Sequence, residues 1–163
     1  MNFEQAYKAI QDFALCNNNL FSNVKVEFSF GANRPPIGDW SNDENMGMLI
    51  FGDEIGRKSG VYFYATLDGE IIYIGKAGQD NLHQRVWAHL QTPQSLTPDR
   101  KRIFPNHRFV TNKLYAEAFT SGDIRLGVVT ISNKSLVSLL EVYLQTLHIH
   151  QTGELPALNR QIG

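Results

Sequence analysis

Residues 60–75 read GVYFYATLDGEIIYIG, two β-rich runs joined by a turn. Val61–Tyr64 and Ile71–Ile74 are dense in β-branched and aromatic side chains, the types that pack well on a pleated surface. Asp68-Gly69 between them is a turn pair of the kind that supplies positive φ in hairpins. This hairpin constrains the chain most, because it commits two strands to antiparallel pairing and brings Tyr62 and Tyr73 onto neighbouring strands. A phenol donates one proton and accepts through its oxygen. Two of them near a shared face can handle the protons of a hydrolysis. Tyr64 is a third, on the face of Tyr62 by strand alternation.

Elsewhere the chain alternates helical and strand patterns. Phe3, Tyr7, Ile10 and Ala14 predict an amphipathic helix over 3–15, stopped by Asn17-Asn18-Asn19. Val24, Val26, Phe28 and Phe30 alternate with polar residues, predicting a strand over 24–30. Residues 31–47 are rich in Gly, Pro, Asn and Asp and read as a long loop, with a short strand over 48–51 after it. Leu82, Val86 and Leu90 mark the buried face of a helix over 81–91, with Asn81 as its N-cap. Residues 92–110 form a proline-punctuated insertion, longer than most loops of a domain this size. A short helix over 111–119, a strand over 124–131 and a helix over 134–149, capped by Ser132 or Asn133, complete the order. The result is β-β-α-insert-β-α: a small α/β domain over 58–163 with a three-stranded sheet and flanking helices. Residues 1–57 form an N-terminal α/β extension, suited to packing on that core, to target recognition or to dimerisation.

Composition excludes several classes. Of 163 residues, 42% are hydrophobic and 19% charged, enough apolar side chain for a packed core. No apolar run is long enough to span a membrane, and the N-terminus lacks the apolar core of a signal peptide. The lone Cys16 excludes an internal disulfide and reads as a buried small residue, so a reducing, cytoplasmic setting is expected. Formal net charge is −1, but residues 85–113 hold six basic side chains against one acidic. Polyanion affinity follows local phosphate neutralisation, so Arg100, Lys101, Arg102 and Arg108 are candidate substrate contacts.

Several polar residues stand out as candidates for chemistry on an anionic substrate. Arg85 and His89 are four apart and emerge on one side of their helix. A guanidinium can fork onto a phosphate, and an imidazole can take a proton. Glu141 lies in SLVSLLEVYLQTLHI, where Leu136, Leu140, Leu144 and Leu147 share a face and Gln145 and His148 flank it. A carboxylate among apolar neighbours requires solvation, a partner or a metal, and a hard oxygen ligand suits Mg²⁺. Lys76 follows Gly75 directly and can reach a phosphate, while the Asn159 amide can hold water or brace the site.

Gly60-Val61-Tyr62 and Tyr73-Ile74-Gly75, followed in order by Lys76, Arg85, His89, Glu141 and Asn159, resemble the GIY-YIG nuclease family, with valine at one usual isoleucine. The resemblance covers roughly 58–163. It implies a metal-dependent endonuclease that hydrolyses DNA phosphodiester bonds by direct attack of an activated water. Tyr62, Tyr73, Arg85, His89 and Glu141 would be catalytic. Glu141 would hold Mg²⁺ (or Mn²⁺), and Lys76 and Asn159 would contact substrate. Either Tyr62 or His89 would be the general base. A short chain of this kind suits a sequence-specific restriction enzyme, and cutting both strands implies a homodimer. The alternative is a non-catalytic nucleic-acid-binding or interaction protein that retains the fold.

Overall fold

In the computed structural model, which describes residues 1–40, 49, 55–91, 94–96 and 101–163, the fold is built around one strand. β2 (Gly60–Ala65) is buried at all six positions. Val61, Phe63 and Ala65 point to one face, Tyr62 and Tyr64 to the other. On its left β2 pairs with β6 (Arg125–Ile131), on its right with β3 (Ile71–Ala77), both antiparallel. β1 (Val26–Phe30) adds to β6, giving the order β1-β6-β2-β3.

The sheet is sandwiched. α1 (Phe3–Cys16) buries Phe3, Ala6 and Ile10 against the Val61–Phe63 face. There it meets α5 (Val137–Thr152), which contributes Val137, Leu140 and Leu144. The N-terminus of α1 carries a capping box: Asn2 and Gln5 exchange side-chain and backbone hydrogen bonds of 2.9 Å. The tyrosine face is covered by α3 (Leu82–Leu90) through Leu82, Val86 and Leu90. Also on that face is Phe119 of α4 (Ala116–Ser121), with Ile37, Trp40, Phe104 and Phe109 around it. A small ribbon, β4 (Gln94–Leu96) with β5 (Arg102–Ile103), lies in the insertion, and a four-residue α2 (Asn18–Phe21) follows α1.

The mixed α/β class agrees with the sequence pattern, but the expected three-stranded sheet has four strands. The added strand comes from the N-terminal segment: Val26 pairs with Ile131 and Phe30 with Gly127. The alternation at 24–30 gives the strand and not its partner, since a strand's partner depends on which sheet edge is left open. The same segment is tied to β3, where Ile71 N donates to Met1 O at 2.9 Å.

Three local readings also differ. Cys16 is exposed at the end of α1, because the apolar stripe has rotated away by that turn. Asn81 makes no side-chain cap, its φ of −132° and ψ of 33° directing it elsewhere. The short helix begins at Ala116, after a turn in which Asn112 Oδ1 accepts from Leu114 and Tyr115 N. The strand predicted over 48–51 lies outside the described residues except for Leu49. Among the described residues, no helix is long and apolar enough to cross a membrane.

Candidate active site

The hairpin does not place its two tyrosines together by simple alternation. Ala65 pairs with Ile71, yet Tyr64 pairs with Tyr73, so Ile72 is an extra residue in β3. This bulge reverses the facing of everything beyond it. Without it, Tyr73 would point to the α1–α5 side; with it, Tyr73 joins Tyr62 and Tyr64 on the α3 side. Tyr62 and Tyr73 ring centroids lie 5.9 Å apart. Gly75 sits opposite Tyr62, and a Cβ there would lie 2.7 Å from both Tyr62 Cζ and Tyr73 Cε1. The glycine of YIG is therefore the floor on which the Tyr62 phenol rests.

His89 completes this group. It lies one turn after Val86 on the inward stripe of α3 and is only 2% exposed. Its Nε2 is 2.9 Å from Tyr62 Oη and 3.2 Å from Tyr73 Oη. Phe109 stacks parallel to the ring at 5.5 Å, and the buried Nδ1 has no hydrogen-bond partner. Burial, then the charges of Arg108 and Arg85, lower the His89 pKa to about 4. The imidazole is neutral at pH 7. Burial, then Tyr73, pushes Tyr62 far above the usual tyrosine range, with Arg85 opposing. Tyr73 is raised too, chiefly by burial, while the hydrogen bond from Tyr62 and the Arg108 charge work the other way. Tyr64 is fully buried, donates to Val86 O at 2.8 Å, and is likewise raised by burial. As a free base Tyr62 is poorly placed: it is fully buried, absent from the cleft wall and held protonated.

Glu141 comes from the opposite side of the sheet. α5 packs on the Val61–Phe63 face, but β3 is the last strand, and the carboxylate reaches round its edge. It is 6% exposed and lies 2.8 Å from Lys76 Nζ. The approach is off-axis, so Oε2 has an ion pair without a directed hydrogen bond. Lys76 is thus engaged with Glu141 instead of standing free for a phosphate. Its place follows from register: opposite Val61, it points toward α5.

Asn159 is also committed. Its Oδ1 accepts from Ile74 N at 2.9 Å and its Nδ2 donates to Ile74 O at 2.8 Å. Leu158 N adds a bond to Ile72 O at 2.9 Å, so the segment after α5 covers the exposed edge of β3. With one hydrogen bond at each amide atom spent on the Ile74 backbone, Asn159 braces the wall, and its second Nδ2 proton remains beyond those two bonds.

Around this edge opens a cleft of about 390 Å³. Tyr73, Lys76, Arg85, His89, Arg108, Glu141 and Asn159 line it. Tyr62 lies behind Tyr73 and His89. Arg85 is exposed, its Nε 3.4 Å from Lys76 O. Two basic candidates are elsewhere: Lys101 pairs with Asp123 at 3.4 Å and Asp39 at 3.7 Å, and Arg102 lies on β5 outside the wall. Arg100 lies outside the described residues. Phe109, Gln145 and Arg160 line the cleft without having been singled out as site residues. Gln145 was readable as the residue one turn after Glu141, and Arg160 as the neighbour of Asn159; nothing in the sequence marks Phe109. Among the described residues, the side chains of Lys76, Arg85, Arg108 and Arg160 line the cleft with one acidic side chain, Glu141, so its lining favours anions.

Whether a divalent metal fits depends on that carboxylate. Among the described residues, no three His, Cys, Asp or Glu side chains gather to hold an ion. A cation here would rest on Glu141 with waters and substrate oxygens, a coordination that suits Mg²⁺. A buried Oε2 lacking a directed hydrogen bond, beside an open cleft, fits that demand. Against family models, curated proteins and solved structures, nothing matches this chain.

Proposed function

We propose that the protein is a metal-dependent endonuclease of GIY-YIG type that hydrolyses DNA phosphodiester bonds by direct attack of water. The observation that carries this reading is convergence. β3, α3 and α5 each bring a functional side chain, Tyr73, His89 and Glu141, to one positively charged cleft, with Arg85 on its rim.

Arg85 and Arg108 bind the phosphate, and Arg85 offsets the charge that grows on its oxygens during attack. Water over Tyr73 loses its proton to Tyr73 Oη while the tyrosine proton passes to His89 Nε2, 3.2 Å away. His89 is the terminal base because it is neutral at pH 7. A bound phosphate also offsets the Arg108 and Arg85 charges that, after burial, hold its pKa low. Tyr62 orients the imidazole from behind through its 2.9 Å contact. Glu141 would hold the metal, which supplies charge stabilisation to the leaving 3′ oxygen.

A plasmid-nicking assay with Mg²⁺ and with EDTA tests the reading. Nicking that requires Mg²⁺, vanishes in Glu141→Ala and falls at least about 10²-fold in Arg85→Ala is expected. Absence of nicking, or parental rates in both variants, overturns it.

A further inference from the structure

The ion pair in the cleft joins two groups that a nuclease would use separately. Among the described residues, Glu141 is the only acidic side chain on the wall, and the Lys76 ammonium already lies 2.8 Å from its Oε2. The two side chains differ in freedom. Glu141 is 6% exposed and held by the buried face of α5, whereas Lys76 is 35% exposed on a flexible four-carbon stem at the cleft edge. An ammonium on Oε2 and a divalent cation on the same carboxylate would lie a few ångströms apart and repel, the second cation carrying two charges, so a bound metal weakens the ion pair. Of the two side chains, Lys76 is the one free to swing away. Across the same cleft Arg85 and Arg108 mark where an anion would lie.

We propose that Lys76 is a tethered counter-ion of Glu141 that competes with divalent metal for the carboxylate and transfers to the bound polyanion when displaced. Its partner in the metal-free protein is Glu141; in the loaded complex it is a phosphate. A polyanion that draws Lys76 away vacates the carboxylate, and a metal that expels Lys76 adds a cation to the anion site. By linkage the two ligands then strengthen each other's binding by the same factor. The identity of the polyanion rests on the nuclease reading above; the competition for Glu141 does not.

The test is Mn²⁺ binding to the full chain, followed by electron paramagnetic resonance, for the parent, Lys76→Met and Glu141→Gln. Each is measured alone and with a short DNA duplex. Lys76→Met should bind Mn²⁺ about tenfold more tightly than the parent without DNA, and the duplex should tighten the parent more than the variant. Lys76→Gln, which leaves a neutral donor near the carboxylate, should shift the same way and serves if the methionine variant fails to fold. Equal affinity in the parent and both Lys76 variants, all above Glu141→Gln, overturns this inference and leaves the metal assignment standing. Equal binding by every protein, Glu141→Gln included, overturns the metal assignment and the competition with it.

Discussion

Acid sensitivity should report directly on the His89 environment. The folded protein holds this imidazole at about 4 against an ordinary value of 6.5, through burial first and then Arg108 and Arg85. Between those two pH values the unfolded chain carries a proton at His89 that the folded chain refuses. Stability therefore falls as pH drops through that window and levels below it. From pH 7 to pH 4.5 this one group should cost about 2 kcal/mol. The assay is urea unfolding at both pH values for the parent and for His89→Gln, whose amide can still meet the two phenols. Other acid-sensitive groups, such as Glu27 with its Lys25 and Lys58 partners, are common to both proteins and drop out of the difference. The parent should lose about 2 kcal/mol more than the variant over this interval. Equal losses would refute the reasoning, as would a His89 proton-resonance titration centred near the ordinary value.

Two further outcomes follow from the geometry. Gly75→Ala drives a methyl to 2.7 Å from two ring atoms in a packed site. It should cost about 1–3 kcal/mol, seen as a melting temperature lower by roughly 2–10 °C, and should depress nicking by displacing Tyr62 from His89. Arg160→Ala should weaken DNA binding and flatten the plot of log K against log salt by about 0.9, one phosphate contact fewer. The binding is measured in EDTA on Glu141→Gln protein, and an unchanged slope removes Arg160 from the substrate path.

The residue types were legible in order: Tyr73, Lys76, Arg85, His89, Glu141 and Asn159 line one cleft beside β3, while Tyr62 lies buried behind Tyr73 and His89. What each does there was less legible. Lys76 and Asn159 read as substrate contacts; the structure adds a partner to each, Glu141 for the lysine and the Ile74 backbone for the amide. Lys101 read as part of a phosphate track, yet Asp39 and Asp123 hold it. A side chain's partner is set by which elements pack beside it, and sequence spacing carries no such information across a fold.

The local code of this chain determined its hairpin, its three longer helices and the inward stripes of α1 and α3, because periodicity and turn chemistry act over a few residues; the short α2 lies where the asparagine run read as a stop. Tertiary structure decided the rest. The extra residue at Ile72 turns Tyr73 toward Tyr62, and a one-residue change of register reverses facing without leaving a mark in composition. The open edge of β6 recruits β1 from a hundred residues away. The finite width of the sheet lets Glu141, rooted on one face, share a cleft with Tyr73 and His89 from the other. A site at a sheet edge exists only once the strands have an order, and that order is a property of the packed molecule.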